Sequence, residues 1–380
     1  MEPVSRAIPD RVGKRITRLE SLLDVPARDS ASAFDAGVDA RRDLLAARPN
    51  DDPLRMVKVR SGLFCRNADE VGPTRIQKVS TSKGAALKVL LLVLFELQAR
   101  PSSRSDAPVA ARTMLPLETK PSASGGAEVP SWVTFSALPT ADSTRRAAFA
   151  GSRRRNRLRQ LCSALERLHQ LGRIELRKPP GQHGRYESFR ILDEGRVNDG
   201  ATGRAKYTVP VFETGRARRK ITTIPSGFFL NGWIDALSDN EIITYLVLRF
   251  CAQAYPNEHA TKGVFLSSGF RDEMFNLDRG FEAHRMLARY GLIKTIRDPR
   301  RSPLGTIHQQ GTDGKGELHR FQLADDALSQ NAPARVITCL QRYANHESLD
   351  DSLSQDRADA KRASPLAGAA GGATGSFFGD

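Results

Sequence analysis

The chain has 380 residues, with 58 Lys and Arg against 43 Asp and Glu, a formal net charge of +15. That length holds two domains with cores of their own, and that charge favours a polyanionic partner, nucleic acid or anionic membrane. Four cysteines, Cys65, Cys162, Cys251 and Cys339, form no CxxC pair, which argues against structural zinc and for a reducing cytoplasm.

Residues 1–50 are charged and helical in pattern. Ile16, Leu19, Leu22 and Leu23 supply only a turn or two of apolar face, so a flexible arm or partner-binding helix is expected. The first residues lack the apolar core of a signal peptide. A helix is predicted over 83–100, and its run "ALKVLLLVLFEL" is too short to span a bilayer. The stretch 101–130, rich in Pro, Ser, Gly and Ala, reads as a mobile insertion. Then come "WVTF" (132–135) as a short extended piece, a small-residue helix over 144–150, and a longer helix over 154–171. In 172–192, two β-prone runs flank "PPGQHG", a hairpin signature.

A linker over 196–236 carries the strand "KYTVPVF", and the same order of elements then returns. Ser238 with Glu241 forms a capping box ahead of "IITYLVLRF". "GVFLSS" is the short strand, "FRDEMF" the small helix, and Asp278 caps a longer helix through "RGFEAHRMLARY". The hairpin is "GLIKTIRD" with "LHRFQL". "LHQLGRIEL" lies over "LARYGLIKT", with Gly172 opposite Gly291 and Ile174 opposite Ile293; each glycine is expected to cap its helix in a left-handed turn before a strand. The tail, 346–380, is of low complexity and expected to be disordered, with Phe377 and Phe378 its one sticky point.

A helix, a strand, two helices and a hairpin is the winged-helix order, whose third helix enters the major groove. The predicted fold is therefore α+β, mainly α: two winged-helix domains in tandem, each a three-helix core plus a β-wing, over 54–195 and 237–345. In the third helix of the first, Leu158, Leu161, Cys162, Leu165 and Leu168 collect on one side. Opposite lie Asn156, Arg159, Gln160, Ser163 and Arg167, residue types that pair with base edges. Arg153, Arg154 and Arg155 start the helix as phosphate contacts, and Lys178, His183 and Arg185 make the wing basic. In the second copy Phe281, His284, Leu287 and Ala288 face the core. Arg279, Glu282, Met286 and Arg289 face away, with Arg285 at the flank. Arg297, Arg300, Arg301 and Lys315 charge the second wing.

The segments "LRQLCSALERLHQLGRIEL", "GRYESFRIL", "KYTVPVF" and "IPSGFFLNGWIDALSDNEIITYLVLRF" together resemble the tandem winged-helix plasmid replication initiators of the iteron-binding type, over roughly 54–345. The resemblance implies double-stranded DNA at origin repeats as the partner. It places contacts on the faces with Asn156, Gln160 and Arg167 and with Arg279 and Arg289. It also implies a module that can form a homodimer, host replication proteins as further partners, and a cytoplasmic, nucleoid-associated location. The insertion at 101–130 and Glu282 depart from that pattern.

No Walker loop, HExxH, nucleophile elbow or metal-spaced cluster is present in the sequence. "GTDGKGE" has glycines and a lysine without the spacing. The sequence therefore predicts no enzyme, no cofactor and no metal ligand. A plasmid or phage-type replication initiator is the first reading; an operator-binding transcriptional regulator or partition protein and a protein-interaction scaffold are the alternatives.

Overall fold

In a computed structural model of the protein, the described residues are 10–25, 31–49, 53–67, 70–80, 85–100, 112–119, 130–139, 153–196, 205–211, 220–277, 283–296 and 320–345. They form a mixed α+β fold in which helices dominate. The first elements are α1 (Asp10–Leu23), α2 (Ala33–Ala46), β1 (Met56–Arg60) and a short α3 (Arg75–Val79). One unit then runs α4 (Ala86–Ala99), α5 (Trp132–Phe135), α6 (Arg153–Gln170) and a hairpin of β2 (Ile174–Glu175) and β3 (Arg190–Ile191). A connecting stretch supplies β4 (Ile221–Pro225), α7 (Gly227–Leu230) and α8 (Trp233–Ala236). The second unit has α9 (Asp239–Ala254), α10 (Pro256–Thr261), β5 (Val264–Phe265), α11 (Ser268–Phe275) and α12 (Ala283–Tyr290). It closes with β6 (Ile293–Ile296), β7 (Arg320–Leu323) and α13 (Ala332–Ala344). No helix among the described residues is long and apolar enough to cross a membrane.

The two units repeat at the level of hydrogen bonds. Gly172 and Gly291 follow α6 and α12 with φ of 63° and 84°. The amide after each reaches back five residues, Arg173 to the Leu168 carbonyl at 2.8 Å and Leu292 to that of Leu287 at 3.0 Å. This is the Schellman closure, which glycine makes without a Cβ clash. Ile174 and Ile293 then open β2 and β6. The sheets correspond as well. The second unit has strand order β5–β7–β6. In the first, β3 pairs with β2 and, through Arg190, bridges to Arg112, which therefore stands where β5 stands. The capping box at α9 is also present, the Glu241 carboxylate accepting from the Ser238 amide at 2.7 Å.

Several expectations need correction. "WVTF" is a helical turn and not a strand. Ser131 accepts from the Thr134 amide at 3.3 Å, and buried Trp132 and Phe135 come onto one side as i, i+3 neighbours. A four-residue apolar run carries no period by which sequence could choose. Residues 112–119, expected inside a mobile insertion, are built into the first unit. The Thr113 amide bonds the Phe189 carbonyl at 3.1 Å, and the Trp132 amide bonds that of Pro116 at 2.9 Å. The expected helix over 144–150, the rest of 101–130, the Asp278 cap and the tail 346–380 lie outside the described residues.

The described residues of the segments expected as a flexible arm or partner-binding helix and as a linker supply parts of the core. One apolar cluster runs without a break from Ile16 to Leu340, with all of α4 buried at its centre. Ile16, Leu19 and Leu22 seat α1 on α13. Phe228, Phe229 and Trp233 of the connecting stretch are fully buried. Phe229 stacks on Phe95 of α4 at 4.8 Å and Phe228 on Tyr245 of α9 at 5.3 Å, so the stretch joins the units as packing. Strands β1 and β4 pair antiparallel, Val57 opposite Ile224, across the same junction. Arg41 of α2 has no exposure at all. It donates to Asp235 at 2.6 and 2.9 Å, to the Phe135 carbonyl at 2.8 and 3.1 Å, and to the Phe229 carbonyl at 3.0 Å. Its fork thus ties α2, α5, α7 and α8 at one point. A second tie holds α1: Arg15 reaches Glu241 at 2.6 and 2.8 Å, and the Tyr290 hydroxyl donates to the same carboxylate at 3.0 Å. Burial alone would raise the Glu241 carboxyl, but Arg15 and the Ser238 cap hold it below the ordinary range.

Candidate nucleic-acid interface

Leu161, Ala164, Leu165 and Leu168 are the buried line of α6. At 3.6 residues per turn the opposite line is Arg155, Arg159 and Ser163, with Asn156 and Gln170 beside it. Arg155, Arg159, Ser163 and Gln170 are exposed, and Asn156 is half-buried. Arg159 donates to the Asn156 side-chain oxygen, so the two amide and guanidinium groups sit together. From Arg155 to Ser163 the line rises about 12 Å, the length of roughly three to four base-pair steps. Leu158 is half-buried against the core as expected, and Cys162 sits at the border with its thiol pushed up to about 11 by burial and by Glu118.

Other predicted contacts are held elsewhere. Arg153 pairs with Asp24 at the end of α1 at 2.6 Å. Arg154 donates to the Thr119 carbonyl at 2.9 Å and lies 3.6 Å from Glu118. The three opening arginines are therefore not one patch, and Arg155 alone of them joins the outward line. Gln160 and Arg167 are half-buried at its edge, Gln160 bonding the Pro139 carbonyl at 3.3 Å and Arg167 that of Lys78 at 3.0 Å.

Arg185, expected to face outward from the wing, is buried. It donates to Glu166 at 3.0 Å and to the Lys178 carbonyl, while its guanidinium lies over Tyr186. The pair neutralises the one acid on the outward side of α6 and fixes the hairpin turn against the helix. Lys178 folds onto the His183 carbonyl at 2.8 Å, leaving His183 exposed at the turn. Two cations beside this surface escaped the sequence reading: exposed Arg177 in the wing and exposed Lys78 at the end of α3. Lys78 could not be found from spacing, because the contact that places it runs through its backbone carbonyl.

The second unit presents less. Leu287 and Ala288 are buried, and His284 packs edge-on to Phe321 at 5.3 Å, all on the core side as expected. Met286, expected outward, instead packs half-buried on the core. Arg289 is half-buried, with its guanidinium 5.1 Å from the Tyr343 ring of α13. Arg335 of α13 donates to the Tyr290 and Arg289 carbonyls that end α12, each at 3.3 Å, and the Cys339 thiol donates to that of Arg289 at 3.2 Å. This helix therefore occupies the flank of α12 that the sequence left open. Arg285 is exposed. Arg279, Phe281, Glu282, Arg297, Arg300, Arg301 and Lys315 lie outside the described residues.

Chemically, the line on α6 offers guanidinium, carboxamide and hydroxyl groups, which donate and accept in the plane of base edges and also meet phosphate oxygens. Among the described residues no group of three His, Cys, Asp or Glu is placed to hold a metal ion. No protein-family model, characterised protein or solved structure matches the chain.

Proposed function

We propose that the chain is a sequence-specific double-stranded DNA-binding protein built from two winged helices, and that α6 is its principal reading helix. The observation that carries this reading is the outward line of Arg155, Asn156, Arg159 and Ser163 opposite the buried Leu161, Ala164, Leu165 and Leu168, in a unit whose hydrogen-bonded order is repeated in the second. The wing locked by Arg185 to Glu166 would lie beside the duplex backbone. Within this reading a replication initiator binding direct repeats is favoured over a regulator or partition protein. The two units are unequal, since α13 packs on the end of α12 while, among the described residues, Arg155, Arg159 and Ser163 of α6 stay exposed, and unequal modules in one chain suit a head-to-tail site better than a palindrome. The reading includes no catalysis.

Selection of duplexes from a random pool by the full chain tests it. Enrichment of a short motif occurring in tandem is expected. A lone palindrome would favour the regulator, and a pool left unenriched at low salt would reject DNA reading altogether.

A further inference from the structure

The two units leave a groove of about 940 Å3 between the turn after β1 and the facing ends of α9 and α11. Its floor is apolar and aromatic: Cys65 and Phe250 are buried, Phe270 and Met274 half-buried, and Tyr255 is 47% exposed at the mouth. The packing is set from beneath, where Phe250 meets Phe64 and Phe275 edge-on, each at 5.9 Å. The rim is basic. Arg60 is held by Glu194 at 2.9 Å and Arg196 lies 3.7 Å from Asp193, while Lys206 and Lys220 are exposed. An aromatic floor under a lysine rim fits a ligand that is apolar at one point and acidic along the rest.

We propose that this groove receives the chain's own segment 347–380, with Phe377 and Phe378 on the aromatic floor and the acids along the rim. The segment carries Glu347, Asp350, Asp351, Asp356, Asp359 and Asp380 against Arg357, Lys361 and Arg362, a net charge of −3 inside a chain of net charge +15, with its acids concentrated in 347–359. Its only aromatic residues are the adjacent Phe377 and Phe378. Phenylalanine rings pack well on methionine and on other rings, which Met274, Phe270 and Tyr255 supply. Reach is no obstacle: the chain from Asn345 to Phe377 can extend on the order of 100 Å. Tethering lowers the affinity required. At an effective concentration of about 1 mM, a site with a Kd on the order of 100 µM is roughly 90% occupied.

Hydroxyl-radical footprinting of the full chain tests the docking. In the wild type, Met274 and Tyr255 are protected. Phe377→Ala/Phe378→Ala is expected to raise their oxidation roughly tenfold, the change that 90% occupancy implies, with Tyr343 on α13 unchanged. Lys206→Glu/Lys220→Glu should reproduce the rise. Should that rim variant fail to fold, the tail variant decides alone, since it alters none of the described residues. A synthetic 347–380 peptide added to the tail variant should restore protection at millimolar concentration. Equal oxidation in wild type and tail variant would overturn the proposal. So would protection of the tail variant by an oligonucleotide but not by the peptide. Neither result bears on whether α6 reads DNA.

Discussion

Arg41→Met is the sharpest test of how the fold is held. The substitution keeps an apolar stem and removes five hydrogen bonds from a side chain with no exposure. Asp235, whose side chain is 2% exposed, would be left as a buried carboxylate, with the Phe135 and Phe229 carbonyls losing a donor. Removing one partner of such a pair costs about 3–5 kcal/mol, against a total stability of about 5–15 kcal/mol for a typical domain. Urea unfolding followed by the fluorescence of buried Trp132 and Trp233 reads this as a lower midpoint at unchanged slope. Arg41→Met/Asp235→Leu should lose less than the two single variants summed, because no charge is then stranded. A single variant within about 0.5 kcal/mol of wild type would refute the argument, since that is the range of surface substitutions. It would return α2 to the status of an arm.

Lys88 of α4 is buried, donates to the Asp235 carbonyl at 2.8 Å, and faces Arg18, Arg15 and Asp239; burial first, then Arg18, lowers its pKa to about 8. The unfolded chain therefore holds this proton more tightly, and stability should climb by up to about 3 kcal/mol between pH 8 and the ordinary lysine range. Lys88→Met should flatten that climb in pH-resolved unfolding, and an unchanged slope would contradict the burial argument. Arg185→Ala should cost about 1–3 kcal/mol and speed amide exchange across 177–188, because Glu166 loses the cation that holds the wing. Exchange as slow as in wild type would show that the pair does not position the hairpin.

Much of the fold was legible because local chemistry fixed it. Ser238 and Glu241 declare the start of α9, and Gly172 and Gly291, each followed two residues on by isoleucine, declare a helix end and a strand start that the φ angles bear out. Leu158, Leu161, Leu165 and Leu168 of α6 sit where a 3.6 period puts them, while Cys162, expected among them, lies at the border. What escaped depends on partners distant in sequence. Arg41 reads as surface until Asp235 is placed opposite it, 194 residues away. Ile16, Leu19 and Leu22 look too sparse for a core until α13 covers them. The candidate site was legible in its face and not in its members. Helical spacing gave the outward line, but Asp24, Glu118 and Glu166, which engage Arg153, Arg154 and Arg185, come from elements whose approach no periodicity records.

The central claim is that α6 reads bases while its flank grips phosphate. It is tested by salt-titrated binding of wild type, Arg159→Ala and Arg177→Ala to a selected duplex and to its scrambled counterpart. Arg159→Ala should lose about 1–3 kcal/mol on the selected duplex and little on the scrambled one. Arg177→Ala, in the wing beside the reading line, should weaken both alike and reduce the salt slope by about 0.9. Equal, sequence-independent losses in the two variants would contradict the account.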